Sequence, residues 1–319
     1  MIHSYVVRGA GLAPLPEGGE LADAIWIDLY QPLAAQVAAV SALGYEIPTL
    51  EDMEEIEISN RLFTDRGLIY MTGVLPGQRP EGAQVAMPVT FIIDHRRLIT
   101  VRHHAPRPFE TFAHRADRSS GGCATPERVF LGLVEEIVGR LADLSENVAR
   151  EIDQTAGQVL AMTPGGKAGA LHQALVTVGQ QAEVMGRIRL GLLSMDRILV
   201  YHAASASRAD KTGELNALHK AIQRDIQALE VHADFLGSRV AMTVDATMGM
   251  IGLQQNDRVR ILSVVAALFL PPTLIASIYG MNFTHMPQLE LRWGFPMSLA
   301  MMVGSAVVTF LVLKWRRWL

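Results

Sequence analysis

The 319-residue chain contains a single cysteine, Cys123, and only 6% aromatic residues. One cysteine cannot form a disulfide within the chain, which agrees with a reducing compartment. The 28 Lys and Arg residues nearly balance the 32 Asp and Glu residues, so the composition favours neither a nucleic-acid partner nor a charged disordered tail. The N-terminal segment also lacks the basic start and apolar stretch of a signal peptide. We therefore expect most of the chain to remain in the cytoplasm.

Motifs of enzymes and nucleotide-driven pumps are missing as well. The sequence contains no P-loop, no nucleophile elbow and no glycine-rich nucleotide fingerprint. His103 and His104 are adjacent and have no cysteine beside them, so a surface or hairpin role is favoured over a zinc site. We therefore expect a protein that is not an enzyme and holds no permanently bound cofactor.

Two long uncharged runs stand near the C-terminus, at residues 261–279 and 295–313. A helix of about 19 residues covers roughly 28 Å, which is close to the thickness of a bilayer core. Core helices of this length usually carry polar residues on one face, so the alternative of two buried helices is disfavoured. The sequence predicts two spans, at about residues 261–280 and 295–313.

The charges around these spans predict their orientation. Basic residues flank the runs on the sides of the two termini: Arg258, Arg260, Lys314, Arg316 and Arg317. The segment between the spans carries only Glu290 and Arg292 as charged residues. By the positive-inside rule both termini are cytoplasmic and the short loop is outside.

The remaining chain predicts an α/β cytoplasmic domain over residues 1–125, with strands in AIWIDLY, RGLIYMTGVL, VTFIID and RLITVRH and helices in LAAQVAAVSALG and LEDMEEIEI. Residues 126–255 are predicted to form a helical region and a stalk helix, and residues 256–319 a membrane domain. No strong stop signal interrupts the chain from about Thr212 to Gly280. Since a single helix of nearly 70 residues is not stable alone, we expect several copies to bundle into a symmetric oligomer.

Small and polar residues follow one face of the first span in steps of three or four: Ser263, Ala266, Leu270, Thr273, Ser277 and Gly280. Heptad extension reaches Asn256 at the cytoplasmic end. Such a stripe fits either close helix packing or a water-filled path, and the periodicity favours neither. Pro271 and Pro272 add free backbone carbonyls, and carbonyls and hydroxyls are the hard oxygen ligands that Mg²⁺ prefers.

The run QQNDRVRILSVVAALFLPPTLIASIYGMNFTHMPQL, a second span and a terminal KWRRWL resemble the CorA family of magnesium and cobalt channels. WIDLY, PTLEDMEEIEISNRLF and ITVRHHAPRPF are similar to the cytoplasmic domain of that family. The resemblance implies a homopentameric funnel in the bacterial inner membrane that carries Mg²⁺, Co²⁺ and Ni²⁺.

The same resemblance implies a role for individual residues. Gly280, Met281 and Asn282 would form the selectivity filter, where Asn282 contacts the metal ion through its hydration water. The implied pore-lining residues are Asn256, Leu262, Ala266, Leu270, Thr273 and Ser277. This set takes Leu262 in place of Ser263, and Leu262 and Leu270 would be apolar gates.

Two features of the family remain open in this chain. The usual MPEL segment is MPQL, so Gln288 replaces a carboxylate and only Glu290 is left in the outer loop to attract cations. The family also senses cytoplasmic Mg²⁺, and no residue here is assigned to that regulatory site. The alternatives are a zinc transporter of the same superfamily with proton coupling, and a membrane-anchored sensor or enzyme that conducts nothing.

Overall fold

The computed structural model of the protein describes residues 1–55, 57, 61–162, 168–206, 213–281, 293–316 and 318. The chain forms two compact units, one made of Met1–Ala156 with Thr177–Thr243 and the other of Gly157–Val176 with Val244–Leu319. The predicted domain limits at residues 125 and 255 divide the chain by expected role, and they stay predictions.

The first unit is built on a mixed seven-stranded sheet with the order β2-β1-β3-β7-β6-β5-β4. Its strands are β1 (Ile2–Arg8), β2 (Gly11–Pro14), β3 (Trp26–Tyr30), β4 (Leu62–Asp65), β5 (Leu68–Gln78), β6 (Gln84–Ile93) and β7 (Leu98–Arg102). β3 and β7 pair in parallel, and the other neighbours pair antiparallel. The four predicted strands are present as β3, β5, β6 and β7, and β6 and β7 form a hairpin that turns around Asp94 and His95.

Seven described α-helices accompany the sheet: α1 (Ala34–Ser41), α2 (Leu50–Glu54), α3 (Pro108–Arg115), α4 (Pro126–Ala161), α5 (Ala168–Ala206), α6 (Glu214–Tyr279) and α7 (Gly294–Trp315). The helix predicted for LEDMEEIEI is shorter than expected. Thr49 caps α2 by accepting from the Asp52 amide, but Glu55 adopts an extended backbone with ψ 138° and ends the helix. The described helix therefore ends at Glu54, and Ile56 and Ile58 of the predicted segment lie outside the described residues.

Aromatic side chains form the core between the sheet and the helices. Phe91 of β6 contacts Phe109 of α3 and Phe130 of α4, with ring centroids 6.1 and 5.6 Å apart. On β5, the Ser194 hydroxyl of α5 accepts a hydrogen bond from the Val74 amide at 3.0 Å. Burial of each large apolar side chain contributes about 1.5–3 kcal/mol, so these contacts hold the sheet and helices together.

A charged pair lies at the centre of the sheet, where β3 and β7 run in parallel. Asp28 and Arg102 are only 1% and 3% exposed, and their Oδ2 and Nη2 atoms are 2.8 Å apart. The Thr100 hydroxyl donates to Asp28 at 2.7 Å and accepts from the Trp26 indole at 3.1 Å. Because the register pairs Asp28 with Thr100, these groups meet within the sheet and satisfy one another.

The surface role expected for the two adjacent histidines is wrong for His104. Its side chain is fully buried, and its Nε2 atom lies 2.9 Å from the Leu75 carbonyl oxygen. Burial lowers the pKa of His104 to about 4, so the ring is neutral. Among the described residues, no three His, Cys, Asp or Glu side chains are grouped to hold a metal ion.

A second buried histidine pair joins α5 to α6 in the first unit. The His202 Nδ1 and His219 Nε2 atoms are 2.8 Å apart, and the His202 ring also contacts Phe130 at a centroid distance of 4.5 Å. Burial, and then the charge of His219, lower the pKa of His202 to about 3. An unfolded chain binds this proton at the ordinary value of 6.5, so the pair links stability to pH.

We expect the free energy of unfolding to fall as pH falls from about 6.5 towards 3, because His202 takes up its proton in the unfolded state first. Unfolding of the full chain in detergent, followed by circular dichroism between pH 7.5 and 4.5, measures this slope. His202→Gln should flatten the slope, whereas His172→Gln, at an exposed histidine of α5, should leave it unchanged. Equal slopes in all three proteins would show that His202 does not control the pH dependence.

Candidate functional site

The predicted long helix is present as α6, whose 66 residues begin two residues after the expected start at Thr212 and end one residue before Gly280. α6 and α7 are both long and apolar enough to cross a membrane, by length and composition. The 18-residue window that meets this test in α6 is not buried by the rest of the chain. A large exposed apolar surface is unfavourable in water. The spans therefore need lipid or other copies of the chain around them.

Pro271 and Pro272 lie inside α6 without ending it. Each lacks an amide hydrogen, so the carbonyls of Ala267 and Leu268 lose the partner that an uninterrupted helix would supply. One residue further along the chain, the Thr273 hydroxyl donates to the Phe269 carbonyl at 2.6 Å. Three successive carbonyls in the middle of the span therefore depart from the ordinary helical pattern.

The predicted pore-lining residues are all exposed in the single chain: Asn256, Leu262, Ala266, Leu270, Thr273 and Ser277. Their side chains face away from a partly shielded stripe formed by Asp257, Val264, Leu268, Pro271, Ile275 and Tyr279. At about 100° per residue, the centres of the two stripes lie about 180° apart around the helix. The stripe of small and polar residues therefore lies on the exposed side of the span, which also carries Phe269 and Leu274.

The second span has a shielded stripe of its own, formed by Gly294, Ser298, Met302, Ser305, Thr309 and Leu313. Its spacing of three or four residues matches that of the shielded stripe on α6. Each span therefore carries one shielded stripe, and the predicted pore-lining residues lie opposite the stripe on α6. Leu262 and Ser263 are both exposed on that side, so the choice between them stays a prediction.

The C-terminal end of α6 keeps helical hydrogen bonding as far as the structure describes it. The Gly280 amide donates to the Ala276 carbonyl at 2.9 Å, and a Cβ at Gly280 would lie 3.1 Å from that oxygen. Met281 is half exposed. Asn282, Gln288 and Glu290 lie outside the described residues, so the filter formed by Gly280, Met281 and Asn282 and the part played by Glu290 stay predictions.

Comparison with known proteins gives the same assignment over most of the chain. Residues 22–316 match the family described as CorA-like Mg²⁺ transporter protein. The chain is 32% identical to a magnesium transport protein CorA of Pasteurella multocida over 324 residues, which cover 100% of both proteins. It is 31% identical to the magnesium transport protein CorA of Escherichia coli, over 95% of this chain and 94% of that protein.

The fold also has a solved counterpart. The complete structure of a CorA magnesium transporter from Methanocaldococcus jannaschii matches with a TM-score of 0.75 at 17% identity, and covers 100% of this chain and 99% of the other. At that identity the match concerns the fold alone. An α/β domain, a long helix that enters an apolar span and a second C-terminal span are thus common to both chains, and this protein is a member of the CorA-like Mg²⁺ transporter family.

Proposed function

We propose that this protein is a channel for Mg²⁺, and for Co²⁺ and Ni²⁺, that admits these ions into the cytoplasm across the bacterial inner membrane. The proposal depends on one observation above all. The exposed side of α6 carries small, hydroxyl and amide side chains together with Leu262 and Leu270. Relatives that are about 30% identical to this chain are magnesium transport proteins.

The chemistry of that exposed side suits an ion that loses water reluctantly. Mg²⁺ prefers oxygen ligands and usually keeps several of its waters. The Asn282 amide oxygens would hydrogen-bond the hydrated ion at the mouth, and Thr273 and Ser277 would continue the polar path. Leu262 and Leu270 would close the pore by excluding water. The proposed face carries no carboxylate between Arg260 and Met281, so an entering ion is not held too tightly to leave.

The proposed pore requires several copies of the chain, and we propose a homopentamer. In the first unit, Val231, Phe235 and Met242 lie on one side of α6 and are 72%, 58% and 73% exposed. Large apolar side chains in a row on an aqueous surface mark an interaction site. A second copy of the same helix would cover them. Native mass measurement in detergent should give five copies, and a monomer or dimer alone would contradict the pore.

The proposed placement in the inner membrane puts both termini in the cytoplasm, as the flanking charges predict. Exposed apolar residues of the spans, such as Val265 and Phe269, would contact lipid. Mg²⁺ is then both the transported ion and a regulator that closes the pore from the cytoplasmic side. The residues of that regulatory site are not assigned.

Ion flux into liposomes tests the proposed function. Purified protein should admit Mg²⁺, Co²⁺ and Ni²⁺ down their gradients, with no need for a proton gradient. Uptake confined to Zn²⁺ and dependent on a proton gradient would instead identify a proton-coupled zinc transporter. Absence of flux for all four ions from a folded oligomer would contradict the channel.

Leu270→Ser should increase leak of ions through the resting protein, because a hydroxyl at the proposed constriction removes the dewetted section. The matched control is Leu311→Ser, the same change at an exposed leucine of the second span. Flux measured without an opening stimulus should rise several-fold in the first variant only.

Cysteines placed at Thr273 and Ser277 should react with water-borne reagents. Reaction only at cysteines placed at Phe269 and Ile275 would show that the pore face is assigned wrongly.

A further inference from the structure

A polar groove lies in the first unit between α3 and α4, far along the chain from the proposed pore. Its volume is about 540 Å³, within the range of about 300–1,000 Å³ that small-molecule sites occupy. Four arginines line it: Arg107, Arg115, Arg118 and Arg140. A neighbouring cavity of about 290 Å³ shares Arg107 and Arg140, so these two guanidinium groups border both spaces.

The carboxylates of the groove are already engaged. Glu136 lies 3.3 Å from the Arg115 guanidinium and accepts from the Thr111 hydroxyl at 2.8 Å. Asp143 lies 3.9 Å from Arg140. Glu135 accepts from the Ser120 hydroxyl at 2.6 Å and from the Ser120 amide at 3.3 Å. Glu135 and Glu136 are partly buried and held by these contacts, whereas Asp143 is exposed to solvent.

Two arginines of the groove remain without a partner. Within the described part of the chain, neither Arg107 nor Arg118 forms an ion pair or a side-chain hydrogen bond. Four guanidinium groups against three carboxylates also leave the groove one positive charge in excess. A guanidinium group offers a planar fork of donors that matches phosphate oxygens. The groove therefore holds two exposed guanidinium groups whose donors are available to bind an anion.

The floor of the groove points to the same kind of ligand. Ser119 lines the groove and is partly buried, and its hydroxyl oxygen is inaccessible to solvent and has no hydrogen-bond partner among the described residues. Buried hydroxyls are normally satisfied, so an acceptor atom placed here would complete it. Gly132 makes this arrangement possible, because a Cβ there would lie 2.5 Å from the Ser119 oxygen. Gly139 leaves open space beside it, with no atom within 4 Å of an added Cβ.

We infer that this groove is a binding site for a small phosphorylated anion, held by Arg107 and Arg118 and by the Ser119 hydroxyl. The engaged carboxylates around the two free arginines exclude an extended polyanion such as a nucleic acid, because like charges repel along its length. A compact phosphate or diphosphate group meets only the free donors. The inference does not rest on the proposed transport, since the groove belongs to the first unit alone.

Titration calorimetry of the full-length protein in detergent tests the site. The probes are inorganic phosphate, pyrophosphate and a nucleoside triphosphate, each free of Mg²⁺, with sulfate at equal ionic strength as the reference anion. At least one phosphate probe should bind saturably and more tightly than sulfate. In Arg107→Gln/Arg118→Gln that affinity should fall by about tenfold or more, because charge-assisted hydrogen bonds are lost.

Two further variants keep the test decisive. Arg66→Gln, at an exposed arginine outside the groove, should bind as the parent does. Gly139→Leu should weaken binding by filling the open space without removing a charge, and it serves alone if the double variant does not fold. The site is refuted if no probe binds saturably, if sulfate binds as tightly as every phosphate probe, or if the groove variants and Arg66→Gln bind equally.

Discussion

Asn282→Ala should abolish most Mg²⁺ uptake and leave the folded oligomer intact. In the proposed pentamer the change removes one amide oxygen from each of five subunits at the outer mouth. Each hydrogen bond to the hydrated ion is worth about 1 kcal/mol, so their joint loss should lower flux by at least about tenfold. The position follows the last described turn of α6, beyond the first unit and its core, so stability should change little.

Flux into liposomes measures this effect, and circular dichroism with native mass measurement checks the fold and the copy number. The matched control is Asn147→Ala, which removes the same group from an exposed position of α4 in the first unit. That variant should transport Mg²⁺ at the parent rate. If Asn282→Ala does so as well, the YGMN segment has a packing role and the proposed filter is wrong.

The membrane part of the chain could be predicted because its physical signals are local. An uncharged apolar run of about 19 residues favours a membrane span over other structures. Isolated glycines do not end a long helix. For this reason α6 begins and ends within two residues of its expected limits. Spacing alone identified the stripe of small and polar residues, but it could not tell a packing face from a path. Exposure of the stripe in a single chain fits both roles, so the pore-lining role stays a prediction.

The sheet was predicted less completely. β3, β5, β6 and β7 are apolar and largely buried, and they gave clear patterns. β1, β2 and β4 were missed because they are at or near the sheet edges and only partly buried, so their side chains alternate weakly. The arginine groove was missed for another reason. Its residues come from α3, α4 and the segments before and between them, and no sequence spacing shows that Arg107 and Arg140 face one cavity.

The buried pair of Asp28 and Arg102 is the clearest example of a feature that sequence spacing hides. The two residues are 74 positions apart, and each stands inside an apolar strand, within WIDLY and LITVR. A charged residue in such a strand is unusual unless it is paired, because an unpaired charge is costly in the core. The cost of an unpaired buried charge was the only sequence signal for this pair, and it does not identify which residue is the partner.

Asp28→Ala should therefore lower the free energy of unfolding of the first unit by about 3–5 kcal/mol. The loss exceeds the value of the contact itself, because Arg102 would remain buried without its counter-charge, 4.5 Å from the Tyr30 ring centroid. The matched control is Asp65→Ala, whose ion pair with Arg66 is exposed, at 3.8 Å, and is worth only about 0–1 kcal/mol.

Urea unfolding of the full chain in detergent measures the difference, and Trp26 reports it directly because its indole donates to Thr100 in the same network. The other three tryptophans lie at residues 293, 315 and 318, outside the first unit. Their fluorescence should therefore change in a separate unfolding transition. Asp28→Leu/Arg102→Met should recover much of the lost stability, since it removes both buried charges together. Equal losses in the single and double variants would show that the strands depend on the shape of the two side chains and that their charges contribute nothing. In that case the pair would not explain why polar residues occupy the centre of this sheet.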